Sequence, residues 1–337
     1  MTDEQWMRTR GRRLNRARVV VTGCAGFLGS HLCERLVEDG HAVVGVDCFT
    51  AYYAREAKER NIERLRDEPR FALLPLDLAR GSLDGLLEGV DVVFHLAAQA
   101  GVRGSFGTRF ASYARNNVLA TQRLLDAAAH TPPRAFVYAS SSSVYGNAAA
   151  YPTTEQTPRA PVSPYGMTKV ATEELAGVYL RCFGVPVIGL RYFTAYGPRQ
   201  RPDMAFSRFF RCALSGRPLP IHGDGRQVRD FTYVDDVVEC TLAAAELGRP
   251  GGVYNIGGAK PVELLEAIAQ VAELSGRQVE LERRPTQMGD ARRTGCDGAL
   301  ARRELGFIPR VGLFEGLWAQ LEWTVGQRDR RAEVIAA

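Results

Sequence analysis

Val19-Val20-Val21-Thr22-Gly23-Cys24-Ala25-Gly26-Phe27-Leu28-Gly29 is the stretch that decides the fold. A β-branched apolar run gives way to glycines at every third position, and a helix-like segment follows from Ser30 to Glu38. The pattern predicts strand, tight turn, helix. Gly23, Gly26 and Gly29 let the backbone turn sharply and approach a pyrophosphate, which then rests at the positive end of the helix. A glycine loop that only packs a helix on a sheet leaves the same signature, so the next strand matters. Ala42 to Val46 is a second apolar run ending in Asp47, 18 residues after Gly29. A carboxylate there accepts hydrogen bonds from an adenosine ribose diol and repels a 2′-phosphate, so NAD is expected over NADP.

Further apolar, strand-like runs lie at 71–76, 91–96, 134–139 and 185–191, and the clearest helical segments between them are 110–130 and 163–183. This alternation predicts an α/β fold, a doubly wound parallel sheet with helices on both faces. After about residue 195 the texture changes to short segments rich in turns, such as Gly223-Asp224-Gly225. The expected organisation is a flexible basic arm over 1–16, an NAD-binding domain over 17–195 and a smaller substrate-binding domain over 196–330. Helices are expected at 203–214, 261–275 and 312–327, with 234–255 returning to the first domain.

The 337 residues are 45% hydrophobic, and no apolar stretch approaches the ~20 residues of a membrane span. The start has no apolar segment of signal-peptide type, so secretion is not expected. Seven cysteines are scattered without a C-x-x-C pair, which suggests neither a disulfide framework nor a metal site and reads as reduced cytoplasmic thiols. Much of the net charge of +5 comes from Arg8, Arg10, Arg12, Arg13, Arg16 and Arg18. A basic arm can touch nucleic acid. With no aromatic interleaving and no recognition fold behind it, a solvated terminus is expected here, with no nucleic-acid or membrane partner.

Tyr165 and Lys169 stand four residues apart, on one face of a helix. A cation that close favours a phenolate and would lower the phenol pKa, making a base for a hydroxyl proton. A surface Tyr-Lys pair has the same spacing, and the surrounding blocks separate the two readings. They are Thr22-Gly23-x-x-Gly26-x-x-Gly29, His95-Leu96-Ala97-Ala98, Asn116-Asn117, Ser140-Ser141-Ser142-Ser143-Val144-Tyr145-Gly146, Tyr165-x-x-x-Lys169, Arg191-Tyr192-Phe193 and Arg229-Asp230-Phe231-x-Tyr233-Val234-Asp235-Asp236. In this order the chain resembles the extended short-chain dehydrogenase/reductase family from about residue 17 to 325.

The resemblance implies a Rossmann domain with a C-terminal nucleotide-sugar domain. It makes Tyr165 the base, Lys169 the holder of the nicotinamide ribose, and Ser141 the hydroxyl on the reacting sugar oxygen. Phe27 and Leu28 continue the phosphate turn, Asp77 and Leu78 match adenine contacts, Leu96, Ala97 and Ala98 line the cofactor, Asn116 matches an active-site amide, and Tyr192 packs by the nicotinamide. His95 reads as a packed core histidine.

Within the family the chain most resembles UDP-glucuronate 4-epimerases, through Phe49-Thr50-Ala51-Tyr52-Tyr53, the segment His95 to Arg103, the four-serine block, and Arg191 to Ala205. That likeness implies Arg103, Ser142, Ser143, Thr194 and Arg201 around a sugar carboxylate, Met204 beside them, and Arg229 and Asp290 on UDP. Gln287 departs from a family Arg on the diphosphate, and His222 from an aromatic ring flanking uracil. TDP therefore remains an alternative to UDP, and Arg201 also reads as a turn residue before Pro202.

The implied activity is NAD-dependent 4-epimerisation of UDP-glucuronic acid through a 4-keto sugar, in a homodimer. Three rivals stand beside it. A UDP-glucuronate decarboxylase of this fold uses an acidic residue near the serine block, where Ser142 and Ser143 are not acidic. A UDP-hexose 4-epimerase has less use for Arg201, and a nucleotide-binding regulator would have no need of a complete Ser-Tyr-Lys set.

Overall fold

In a computed structural model, residue 14 and residues 16–258 and 260–336 are described, with 328–336 as backbone only. The arm expected over 1–16 lies outside the described residues apart from Leu14 and Arg16.

β1 (Arg18–Thr22) runs through Val19, Val20 and Val21, none of which keeps any exposed surface. Each such burial contributes roughly 1.5–3 kcal/mol. Successive side chains point to opposite faces, so Val19 and Val21 join one buried cluster and Val20 another. Such burial on both faces is why the strand reads as a continuous apolar run. The chain turns at Gly23 into α1 (Phe27–Glu38), then forms β2 (Ala42–Asp47), α2 (Arg55–Asn61), β3 (Phe71–Pro75) and β4 (Val92–His95).

The segment expected as one helix over 110–130 is helical throughout, running without a gap through α3 (Phe110–Tyr113), a π-helical stretch Ala114–Leu119, and α4 (Ala120–His130). β5 (Ala135–Ser141), α5 (Pro164–Phe183) and β6 (Val187–Tyr192) complete the first region.

After Phe193 the backbone enters β7 (Thr194–Tyr196), and α6 (Ala205–Ser215), β8 (Leu219–His222) and β9 (Val228–Tyr233) follow. α7 (Val234–Leu247) and β10 (Val253–Ile256) return to the large sheet, where β10 pairs parallel with β6. β11 (Pro261–Glu263), α8 (Leu264–Ser275), β12 (Leu281–Arg284), α9 (Ala299–Leu305) and α10 (Leu313–Ala336) end the chain.

The main sheet has seven parallel strands in the order β3-β2-β1-β4-β5-β6-β10. β11-β9-β7 and β12-β8 form two small sheets. One buried cluster joins Val19, Leu36 and Leu190 to Phe206, Phe210 and Val262, so the two sequence regions share a core. The cleft described below therefore has walls built from both regions.

Candidate active site

The carboxyl ends of the parallel strands and the β7–β9 region enclose a cleft of about 930 Å³, the usual ligand position in this kind of sheet. Gly23, Gly26, Phe27, Leu28, Asp47, Asp77, Leu78, Leu96, Ala97, Ala98 and Asn116 line one part of it. Ser141, Ser142, Ser143, Tyr165, Lys169 and Tyr192 line the middle. Thr194, Arg201, Met204, Arg103, Arg229 and Asp290 line the remainder, so every expected site residue reaches one cavity. His95 does not: it is buried between the hydroxyls of Thr22 and Thr121 at 2.7 and 2.8 Å, and burial pushes its ring down to about 3.

The first turn has the shape a dinucleotide requires. Gly23 has φ +74°, and a Cβ there would come within 2.8 Å of the Ala97 backbone nitrogen. A Cβ on Gly29 would overlap the Gly23 carbonyl. Gly26 precedes α1 with no side-chain cap, leaving the helix amides for an anion. Asp47 accepts from the backbone nitrogens of Ala25 (3.2 Å) and Phe49 (2.8 Å), which fixes its carboxylate beside the turn. Asn61 adds a bond to the Ala25 carbonyl. These residues fit NAD: bare amides for the pyrophosphate and a carboxylate for the ribose.

Ser163 caps α5 through the Gly166 amide and Pro164 opens the helix, which points Tyr165 and Lys169 into the cleft. Their electrostatics depart from the sequence expectation. Burial pushes the Tyr165 phenol above its ordinary value, with the Ser141 hydroxyl and the Arg201 guanidinium pulling it partway back. Lys169 Nζ donates to the Ala139 carbonyl at 2.7 Å and lies 6.0 Å from the Tyr165 ring centroid. Burial also brings that ammonium down to about 8, against the opposing pull of Glu173. Arg201 is a second cation that acts on the phenol. Ser141 accepts from the Ser143 amide and donates to its hydroxyl, both at 3.1 Å, so the serine block is ordered as a unit.

Arg201 lines the same cleft as the base. Arg103, expected near the sugar carboxylate, lines the cleft and pairs with Asp290 at 2.6 Å, grouped with Arg229 and Arg208. Burial pushes both Arg208 and Arg229 below their ordinary values, and Asp290 opposes this at Arg229. Tyr192 turns its hydroxyl away to Thr241 at 2.7 Å and presents only its body to the cleft.

Sequence reasoning missed several side chains. Arg208 stands one turn after Met204 on the same helical face, a spacing that could have found it. Tyr52 reaches the cleft from the β2 loop. Asn117, not Asn116, is the fully buried amide, bonded to Gln99 and to Thr168 at 2.9 Å; the π-helical turn sends Asn116 to the cavity. Beneath the serines, Glu173 holds Ser140 (2.5 Å) and Arg191 (2.7 and 2.8 Å), tying β5, β6 and α5 together.

Residues 19–257 match the family described as the NAD dependent epimerase/dehydratase family. The chain belongs to that family. A Bacillus subtilis protein named as the uncharacterized UDP-glucose epimerase YtcB is 43% identical over 91% of this chain and 97% of its own length. A probable UDP-glucuronate 4-epimerase of Rhizobium meliloti is 38% identical over 94% and 98%. The crystal structure of UDP-glucuronic acid 4-epimerase from Bacillus cereus, in complex with UDP-glucuronic acid and NAD, is similar with a TM-score of 0.90. It shares 40% identity over 92% of this chain and 99% of that one. Membership in the epimerase/dehydratase family accords with the glycine turn, Asp47 and the Ser-Tyr-Lys group.

Proposed function

We propose that this protein is an isomerase interconverting UDP-glucuronic acid and UDP-galacturonic acid at C4, with bound NAD. The observation that carries the reading is Arg201, a guanidinium that lines the same cleft as Ser141, Tyr165 and Thr194 and can hold a sugar carboxylate there. Tyr165 removes the proton from the C4 hydroxyl and returns it, with Ser141 holding the reacting oxygen. NAD, when bound, would supply the acceptor and donor of the C4 hydride. Lys169 bonds the ribose, and the turn at Gly23 and Asp47 holds the rest of the dinucleotide. Arg103, Arg208, Arg229 and Asp290 surround the diphosphate and uridine.

The 4-keto sugar is a β-keto acid, and it loses CO₂ when its carboxylate stands perpendicular to the carbonyl plane. Arg201, Thr194 and the hydroxyls of Ser142 and Ser143 hold the carboxylate in the poorer alignment, with charge-assisted bonds that fix orientation. UDP-glucose is the second reading, favoured by the pairing of Arg201 with Asp203, which offsets its charge. Chromatography of products from UDP-glucuronate and UDP-glucose separates the two: formation of UDP-galacturonate supports the first, and epimerisation of UDP-glucose alone refutes it.

A cytoplasmic homodimer completes the reading. All seven cysteines are free. Leu119 on the π-helical stretch, and Met167 and Val178 on α5, are exposed apolar residues that a second copy would cover. No helix among the described residues is long and apolar enough to cross a membrane. Light scattering at a monomer mass would refute the dimer.

A further inference from the structure

Arg201 already holds a carboxylate. Its Nε donates to Asp203 Oδ1 and its Nη2 to Asp203 Oδ2, both at 3.1 Å, the side-on geometry that a substrate carboxylate would need. Tyr52 crosses from the β2 loop and donates its hydroxyl to the same Oδ2 at 3.1 Å, with the guanidinium 5.9 Å from its ring centroid. The Tyr52 loop is pinned in turn: Lys58 Nζ bonds the Thr50 carbonyl at 2.9 Å and the Thr50 hydroxyl at 3.2 Å. Asp203, Arg201 and Tyr52 all line the cleft. The side chain of Arg201 is 20% exposed and that of Asp203 37%, so the acid is the partner that can retreat to water.

Two carboxylates cannot share one edge of a guanidinium, and a substrate carboxylate arriving beside Asp203 meets a like charge. Resting on the uronic-acid reading above, we propose that Asp203 is an internal stand-in for the substrate carboxylate. It yields Arg201 when a UDP-uronate enters and recaptures it when the product leaves. The exchange weakens ground-state binding of both uronates and speeds their release, because Arg201 always has a second partner. A neutral sugar cannot displace a bidentate ionic partner, so its binding leaves the Arg201–Asp203 pair closed. Asp203 acts through Arg201 and is a positioning residue.

Equilibrium and stopped-flow binding to the NAD-loaded protein tests this, with UDP-glucuronate, UDP-glucose and UDP as ligands. Asp203→Asn keeps the shape and removes the charge. UDP-glucuronate should bind about tenfold tighter and leave correspondingly more slowly, while UDP-glucose and UDP stay within about twofold. Tyr52→Phe, which removes one of the three bonds on Asp203, should shift uronate binding in the same direction by about threefold. That variant decides the matter if Asp203→Asn does not fold.

Unchanged uronate affinity would mean that substrate binds beside the pair, and weaker uronate affinity that Asp203 aligns Arg201. An equal change for UDP-glucose would mean contact with a shared part of the ligands. Each of these overturns the proposal. The uronate reading fails separately, in the wild type, if UDP-glucuronate is neither preferred over UDP-glucose nor epimerised.

Discussion

Tyr165 is raised by burial, with Ser141 and Arg201 pulling the other way. Tyr165→Phe keeps the ring against Tyr113, 6.3 Å away edge to face, and removes the proton acceptor. Turnover of UDP-glucuronate should fall on the order of a hundredfold or more while NAD remains bound. A rate within tenfold of wild type would take Tyr165 out of that role. Arg201→Ala leaves Asp203 unpaired beside the incoming carboxylate, so UDP-glucuronate should bind weaker by several kcal/mol. The loosely held 4-keto sugar should also partition toward a UDP-pentose and CO₂. UDP-glucose binding should hardly change. Equal losses on both sugars, read by product analysis and titration, would place Arg201 on the nucleotide or in a purely structural turn.

Helix α5 and strand β9 set the base and the nucleotide wall, and each carries a position where local chemistry decides the outcome. A Cβ on Gly166 would come within 2.5 Å of the Ser143 carbonyl oxygen, a backbone atom with no cheap way to move. Gly166→Ala should push Tyr165 off the serine block, costing about 1–3 kcal/mol of stability and at least tenfold in turnover; normal turnover would show that α5 can shift without penalty. On β9, Asp230 has no exposed surface, its Oδ2 accepts the Cys296 amide at 2.9 Å, and its Oδ1 finds no partner. Burial raises its carboxyl from 3.8 to about 7. Between those values the folded protein holds a proton that the unfolded chain has lost, so the contribution of Asp230 falls as pH rises through about 7. Asp230→Asn should therefore gain stability over wild type at pH 8 more than at pH 5, by a few kcal/mol at most; parallel melting curves at the two pH values would refute it. These elements also show what the sequence could disclose. β1, β2 and their turn were legible because apolar runs and glycine spacing are local signals. β7 and β11, three residues each, were not, because Thr194 is a strand residue only through its partner Phe231 far along the chain. The π-helical stretch was equally hidden, since backbone hydrogen-bond slippage leaves no mark on residue type, although the family resemblance pointed to Asn116, which lines the cleft. Arg201 was legible as a cation in the site, but its engagement by Asp203 and Tyr52 depends on a loop that approaches from β2.

Across the whole molecule the cleft is a seam. One wall carries the dinucleotide turn on β1 and β2, the other carries Arg201, Arg229 and Asp290, and a continuous buried cluster runs behind both. α7 and β10 bring the chain back to the large sheet after the small ones, so neither wall can loosen without disturbing the other. A ligand that binds only the folded state stabilises the assembly by about 2.7 kcal/mol at a hundred times its Kd. That corresponds to a rise of several degrees in melting temperature for a chain of this size. NAD should produce that rise, and NADP much less, because Asp47 repels a 2′-phosphate. Asp47→Ala removes the ribose acceptor and the repulsion together, and it also strips the amides of Ala25 and Phe49 of their partner, so the variant should melt lower before any cofactor is added. The decisive quantity is thus the increment each cofactor adds to the variant's own melting temperature. The NAD increment should shrink and the NADP increment should approach it; two increments that match wild type would mean that the Asp47 carboxylate holds only the loop and does not read the ribose.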